Sequence, residues 1–314
     1  MRYGQLGRSG LTVSRVGLGC NAFGSRIGAD QVRKVVHAAL DCGITLFDTA
    51  DIYGGGASEE LLGAALAGHR DGAVVATKFG GDMQGRNGAD WGVRGSRRYV
   101  VRAVESSLRR LGTDWIDLYQ LHWPDPHTPV AETLAALDDL VRTGKVRYVG
   151  SSNFAAWQVA DADWTARTAG GVRFVSAQNE YSLYDRSADD ELVPALAHLG
   201  VSLLPYFPLA RGLLTGKYRR GEPAPPGTRL AGQDRLLSKA NFDRIEAIGA
   251  FAEQRSVGML EVAIGWLLAS PVVSAVIAGA TSAEQVAANA AAGEWTPSAE
   301  DVAALDELTA GHGG

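Results

Sequence analysis

The chain has 314 residues, a formal net charge of −5, 46% apolar residues and 21% charged residues. That length suits one large barrel or two ordinary domains and supports a large core. The acidic balance and scattered basic residues exclude a phosphate-tracking surface, so no nucleic-acid partner is expected. Only Cys20 and Cys42 occur, the N-terminus MRYGQLGRSG has no apolar signal segment, and no apolar run reaches the ~18 residues of a membrane span. A reduced, cytoplasmic setting with no membrane partner is therefore expected.

Residues 1–13 read as a hairpin turning at Arg8-Ser9-Gly10, placed to plug the bottom of a barrel. A first strand follows at 14–19 (SRVGLG), then a helix at 31–42 that Asp30 is positioned to cap and Gly43 to end. The second strand is 45–50 (TLFDTA), followed by a helix at 59–67 with Ser58 as its cap. The third is 73–78 (AVVATK). A long polar loop, 80–95, then carries Trp91 into a helix at 96–111, where Val100, Val101, Val104 and Leu108 recur at helical spacing before Gly112. Strand 116–122 (IDLYQLH) precedes helix 130–143, strand 146–152 (VRYVGSS) precedes helix 155–168, and strand 174–180 (FVSAQNE) precedes helix 189–199. Strand 202–209 (SLLPYFPL) opens a loop at 210–240 rich in Gly, Pro, Lys and Arg. Helices at 241–255 and 260–269, strand 274–279 (SAVIAG), helix 283–292 and a last helix after Ser298 complete the chain.

Eight strand-then-helix units in this length read as one (β/α)8 TIM barrel over residues 1–314, with an N-terminal hairpin and long loops at the C-terminal face. An open doubly wound sheet is the alternative. It would carry G-x-G-x-x-G after the first strand, and the run Gly17-Leu18-Gly19-Cys20-Asn21-Ala22-Phe23-Gly24 has the wrong glycine spacing.

The strand ends carry polar residues that folding alone does not require: Asp48, Tyr53 just beyond it, Lys78 and His122. In a barrel these ends ring one mouth. A phenol with an ordinary pKa near 10 is a poor proton donor, and a nearby ammonium lowers that pKa; a shift of two to three units takes roughly 3–4 kcal/mol. Asp48 is the partner that a buried Lys78 needs. His122 is placed to orient a substrate oxygen, so the set suits protonation of a carbonyl oxygen while hydride reaches the carbon. Each residue alone has an ordinary structural reading; four at successive strand ends do not.

Several segments carry a resemblance. FDTADIYG (47–54) with SEELLG (58–63), VATK (75–78), the stretch 114–122 with Trp123-Pro124, GSSNF (150–154) and SAQNEY (176–181) resemble, in order, the motifs of the aldo-keto reductase superfamily. The resemblance runs from about residue 6 to 289. It implies a carbonyl reductase with Asp48, Tyr53, Lys78 and His122 as its catalytic tetrad. It also implies an extended nicotinamide dinucleotide across the barrel mouth, near Gly19, Cys20 and Asp48.

Carried over by motif, Ser152, Asn153 and Gln178 would hold the carboxamide and Tyr206 would stack on the ring. Phe207, Pro208, Leu209, Arg211, Gly212 and Lys217 would cover the pyrophosphate, with Arg229 in the same loop. Gly279, Thr281, Gln285 and Asn289 would take the adenosine end at a helix N-terminus; Ser282-x-x-Gln285 also reads as a plain capping box. No Lys or Arg in that last stretch is available for a 2′-phosphate. NADP(H) is the expected cofactor, with NAD(H) as the alternative.

Phe23, Trp91 and Trp123 are the expected substrate walls, around an open site for a small carbonyl compound. A cofactor-binding regulatory subunit is the rival function, because the family includes channel-associated members. The six His residues, at 37, 69, 122, 127, 198 and 312, form no ligand-like cluster, so no metal is expected. Oligomeric state is left open.

Overall fold

Short apolar runs form strands here because both of their faces are covered, which favours near-continuous Val, Ile, Leu and Ala. In the computed structural model, which describes residues 1–310, they are β3 (Val16–Gly19), β4 (Leu46–Asp48), β5 (Val74–Phe79), β6 (Ile116–Leu121), β7 (Val146–Ser152), β8 (Ser176–Gln178), β9 (Ser202–Leu203) and β10 (Val276–Gly279). The end of the expected 1–314 unit, with His312, lies outside the described residues. The eight strands pair in parallel in the order β10-β3-β4-β5-β6-β7-β8-β9. Isolated pairs Leu203–Val273 and Tyr206–Ile277 join the two ends and curl the sheet into a (β/α)8 TIM barrel.

Two further strands, β1 (Tyr3–Gln5) and β2 (Thr12–Ser14), form the N-terminal antiparallel hairpin. Leu6, Leu11 and Val13 of this hairpin cluster with the barrel-interior residues Leu46, Ala76, Leu118 and Leu204. The hairpin thus closes the end opposite the strand C-termini with apolar side chains.

The helices are α1 (Ala29–Asp41), α2 (Ala57–Ala65), α3 (Arg97–Leu111), α4 (Val130–Arg142), α5 (Ala156–Ala169), α6 (Leu192–Leu199), α7 (Asp234–Ser238), α8 (Phe242–Gln254), α9 (Met259–Ala269), α10 (Ala283–Ala292) and α11 (Ala299–Thr309). The larger core lies between them and the sheet. α3 shows why the expected boundaries work: Ser96 Oγ accepts the Tyr99 N–H at its start, and Gly112 takes φ 62° at its end.

Four expectations are corrected. Asp30 lies inside the first turn of α1, whose cap is Gly28, without a side-chain cap bond. Ser58 lies inside α2, where its hydroxyl donates to Cys20 O (2.9 Å) and meets Thr49 Oγ1 (2.8 Å). β9 stops at Leu203, because Pro205 has no N–H to give and Phe207 turns to φ 53°. The 210–240 loop also contains the short α7.

Candidate active site

β4, β5 and β6 end side by side at the C-terminal mouth, with Asp48 in register with Ala76 and Lys78 with Gln120. Lys78 is fully buried. Its ammonium donates to Asp48 Oδ2 (2.7 Å), Thr49 O (2.8 Å) and Tyr53 OH (3.3 Å). An ammonium has three donors, and all three are used. Asp48 Oδ1 accepts a fourth contact from Gln178 Nε2 at 2.8 Å. The carboxylate is therefore clamped between strands on opposite sides of the mouth.

Tyr53 leaves the strand on a tight turn. Gly54, Gly55 and Gly56 all have left-handed φ (58°, 65° and 106°), where a side chain is strained. A Cβ at Gly55 would also lie 1.9 Å from Arg86 Nη1. Lys78 lies 4.9 Å from the Tyr53 ring centroid, and the His122 ring meets Tyr53 edge-on at 5.9 Å. Trp123 stacks on His122 at 3.7 Å, with 12° between the planes.

The electrostatics correct one expectation. Burial raises the Tyr53 pKa, and Lys78 offsets that only in part, so the net direction is upward rather than downward. Lys78 is itself held above its ordinary value: burial pulls it down, but Asp48 and Tyr53 outweigh that. Burial and the neighbouring ammonium push His122 down to about 2, so its ring is neutral. The mouth thus holds a protonated phenol, a charged ammonium and a neutral imidazole.

Behind this wall lies a buried polar group that sequence reading did not single out. Asp51 Oδ2 accepts from Asn87 Nδ2 (3.1 Å), and Asn87 Oδ1 accepts from Arg110 Nη1 (3.1 Å). Arg110 Nε donates to Glu59 Oε2 (2.6 Å), and Thr77 Oγ1 donates to Glu59 Oε1 (2.6 Å). Burial, with Glu59 nearby, pushes Asp51 up to about 8. This network ties the 80–95 loop to the turn that carries Tyr53. Asp51 and Glu59 lie inside the FDTADIYG and SEELLG segments, but nothing in the chain links them to Asn87 and Arg110, so only the fold reveals the group.

The mouth opens into a cleft of about 820 Å³. Asp48, Tyr53, His122 and Trp123 line it, and so do Ser152, Asn153, Gln178 and Tyr206. Tyr206 OH donates to Asn153 Oδ1 (2.8 Å), and Asn153, itself at φ 59°, donates from Nδ2 to His122 O (2.9 Å). Ser152 Oγ donates to Gln178 O at 2.8 Å. Gly19 and Gly279 face each other in register, and with Cys20 they leave this side of the cleft free of long side chains.

Phe207, Pro208, Leu209, Arg211, Gly212, Lys217 and Arg229 form the loop wall. Both Arg211 and Arg229 lie 4.6 Å from the Phe207 ring centroid. Glu180 is 3.7 Å from Arg211, whereas Arg229 has no carboxylate partner among the described residues. Burial and the nearby Arg211 and Arg26 lower the Arg229 pKa. Arg26 also lines the cleft and was missed: one Arg in a loop after the first strand looks like any solvated charge.

Thr281, Gln285 and Asn289 close the far end. Ser282 Oγ caps α10, but Gln285 Oε1 accepts from Thr281 N (2.8 Å) and Oγ1 (3.1 Å), so the expected capping box is only half formed.

Two of the expected substrate walls lie elsewhere. Phe23 is fully buried in the core, because the chain folds back at once, with Phe23 N–H on Cys20 O and a bridge to Ile27. Trp91 is 68% exposed and does not line the cleft; the Arg98 guanidinium covers it at 4.6 Å. Of the three, Trp123 alone reaches the cleft.

A parallel β/α barrel with a Lys–Asp–Tyr–His group at its C-terminal mouth and a cation-lined cleft beside it defines an acid–base enzyme architecture. The chain belongs to the Aldo/keto reductase family, whose profile matches residues 15–310. It is 37% identical to the oxidoreductase YrpG of Bacillus subtilis (strain 168), covering all of this chain and 98% of that one. It is 34% identical to a probable voltage-gated potassium channel subunit beta of Oryza sativa subsp. japonica (92% and 90% covered). A versiconal hemiacetal acetate reductase of Aspergillus parasiticus is 36% identical, with 86% of each chain covered. Family membership supports oxidoreductase chemistry on small carbonyl compounds, with a nicotinamide cofactor. Among the described residues no helix is long and apolar enough to cross a membrane.

Proposed function

We propose that this protein reduces an aldehyde or ketone to an alcohol, with NADP(H) as hydride donor and Tyr53 as proton donor. The observation that carries the reading is the buried Lys78 ammonium, held by Asp48 and Thr49 and aimed at Tyr53 OH.

The cleft fits a nicotinamide dinucleotide. It is long, smooth at Gly19 and Gly279, furnished with amide and hydroxyl groups at Ser152, Asn153 and Gln178, and lined by four cations, Arg26, Arg211, Lys217 and Arg229. Asn153 and Gln178 would hold the carboxamide and Tyr206 would lie against the ring. Thr281, Gln285 and Asn289 would hold the adenosine end. When bound, the reduced nicotinamide supplies the hydride. The four cations together give the cleft a positive potential, which favours the more highly charged NADP(H) over NAD(H).

Tyr53 gives its phenolic proton to the carbonyl oxygen. With its pKa raised, the phenol keeps that proton throughout the neutral range. The phenolate left behind gains from the ammonium 3.3 Å away, which makes Lys78 most valuable as charge develops. Asp48 keeps Lys78 charged and in place. Neutral His122, braced by Trp123, orients the carbonyl oxygen. We place the reaction in the cytoplasm, with Cys20 and Cys42 as free thiols.

Tyr53→Phe keeps the ring and removes the proton. NADPH-dependent reduction of a reactive aldehyde should fall roughly 10²–10⁴-fold, while NADPH still binds within a factor of two by fluorescence titration. Retained activity would show that another group is the acid. Tighter binding of NADH than NADPH in the same titration would overturn the cofactor choice. The likeness to a potassium channel subunit supports a second reading, a cofactor-binding regulatory subunit; an absence of turnover across a broad aldehyde panel would favour it.

A further inference from the structure

The turn that carries Arg211 is set by its own backbone. Phe207, Ala210 and Arg211 all have left-handed φ (53°, 46° and 59°), a conformation that side chains rarely adopt and that clusters at ligand sites. The turn is held from within. Ala210 N–H donates to Phe207 O (2.8 Å), Gly212 N–H donates to Leu209 O (2.8 Å), and Leu213 and Leu214 are buried. The Arg211 guanidinium lies over the Phe207 ring, 4.6 Å from its centroid. Arg211 thus takes its place on the cleft wall without needing an ion pair.

Glu180 nevertheless stands beside it. This residue bridges Tyr206 at the strand end and does not line the cleft. Its Oε2 is 3.7 Å from Arg211 Nη2, beyond hydrogen-bond reach, and both side chains are partly exposed. Such a pair does not lock the guanidinium. The carboxylate is not well accommodated either: burial raises the Glu180 pKa, Arg211 and Arg229 offset that only in part, and Asp185 adds to the rise. What Glu180 supplies is charge. Burial lowers the Arg229 pKa, and the nearby Arg211 and Arg26 lower it further, so these cations repel one another. Among the described residues no other carboxylate makes an ion pair with Arg26, Arg211, Lys217 or Arg229.

We propose that Glu180 is a stand-in for the cofactor diphosphate: it neutralises Arg211 in the free protein and competes with the diphosphate for that guanidinium when the dinucleotide binds. This rests on the dinucleotide reading above and adds to it a residue that limits affinity. Two effects of opposite sign follow. Without cofactor, the carboxylate relieves repulsion among the cations and steadies the loop. With cofactor, it is a surplus anion beside a diphosphate and weakens binding. A cofactor that must leave after every turnover is thereby kept from binding too tightly, and such release steps set many kcat values.

Glu180→Gln keeps the size and hydrogen-bonding capacity of the side chain and removes the charge. The Kd values of NADPH and NADP+, by fluorescence titration, should both fall about two- to fivefold, the reach of a half-exposed ion pair. Stopped-flow dissociation of NADPH should slow by the same factor. In the free variant, trypsin should cut within residues 207–229 faster than in the wild type, and NADPH should abolish the difference. In an Arg211→Ala background the same substitution should have a much smaller effect on Kd. Weaker NADPH binding by Glu180→Gln would make Glu180 a support that positions Arg211, and would overturn the proposal. Unchanged binding, cleavage equal to the wild type, or an effect on Kd that persists in full without Arg211 would overturn it too. If the wild type binds neither NADPH nor NADH, the dinucleotide reading itself fails, and trypsin cleavage of the free variant still decides whether Glu180 neutralises these cations.

Discussion

The two walls of the cleft are built on opposite principles. On the β4–β6 side, charge is balanced inside the protein. Lys78 uses all three donors, Asp48 is bonded from two strands, and Asp51, Asn87, Arg110 and Glu59 form a linked group behind them. On the loop side, Arg26, Arg211, Lys217 and Arg229 face the cleft with Glu180 as the carboxylate beside Arg211. The first wall is preorganised to act on charge as it develops, which is where fixed dipoles and ions are most effective. The second carries excess positive charge that a dinucleotide would neutralise. Under the proposed function, the contrast gives chemistry to one wall and cofactor binding to the other.

Changes on the first wall should have the largest effects. Lys78→Met leaves the Asp48 carboxylate buried beside an apolar chain, so it should cost about 3–5 kcal/mol of stability and remove reduction as well. Denaturant unfolding together with aldehyde turnover checks both; a variant of unchanged stability would mean that the pair is less buried than it looks. On the second wall, Arg229→Ala should raise the NADPH Kd about tenfold and leave kcat at saturating cofactor within a factor of two. A loss of kcat instead would erase the division between the walls.

Asp51 tests the supporting network. Its folded pKa is raised to about 8 from an ordinary 3.8, so the folded state keeps a proton that the unfolded chain releases between those values. The resulting stability is complete below about pH 4 and is lost as pH rises through 8. Thermal unfolding from pH 5 to 9 should therefore fall less steeply for Asp51→Asn than for the wild type; parallel curves would remove Asp51 from the account. The smallest effect expected is a flat line. With His122 pushed down to about 2, and Tyr53 and Lys78 raised, kcat should show no inflection between pH 5 and 8. A titration near pH 6.5 would mean that His122 is charged in the working enzyme.

All eight barrel strands and the plugging hairpin were legible in the chain, because runs such as VVATKF and IDLYQL leave no choice but a strand buried on both faces. Strand ends were less legible. β9 is short because Pro205 and the left-handed Phe207 interrupt pairing, a backbone matter that hydrophobic pattern does not report. The meeting of Asp48, Tyr53, Lys78 and His122 was readable because they follow strand ends, and barrel topology brings such ends together. Phe23 and Trp91 were misplaced for the complementary reason: an aromatic near a rim packs inward or stands exposed according to the local fold-back, which no spacing encodes.

The sequence by itself determined the barrel, the family and the four groups that meet at its mouth, since those depend on periodicity and on the order of strand ends. Tertiary structure decided the rest. It set the direction of the Tyr53 pKa, because burial depends on every neighbour and outweighed the single ammonium that the sequence offered. It joined Asp51, Asn87, Arg110 and Glu59, which are distant in the chain, into one buried group. It also stacked Trp123 on His122 in the wall of the cleft, a placement that spacing along the chain does not encode.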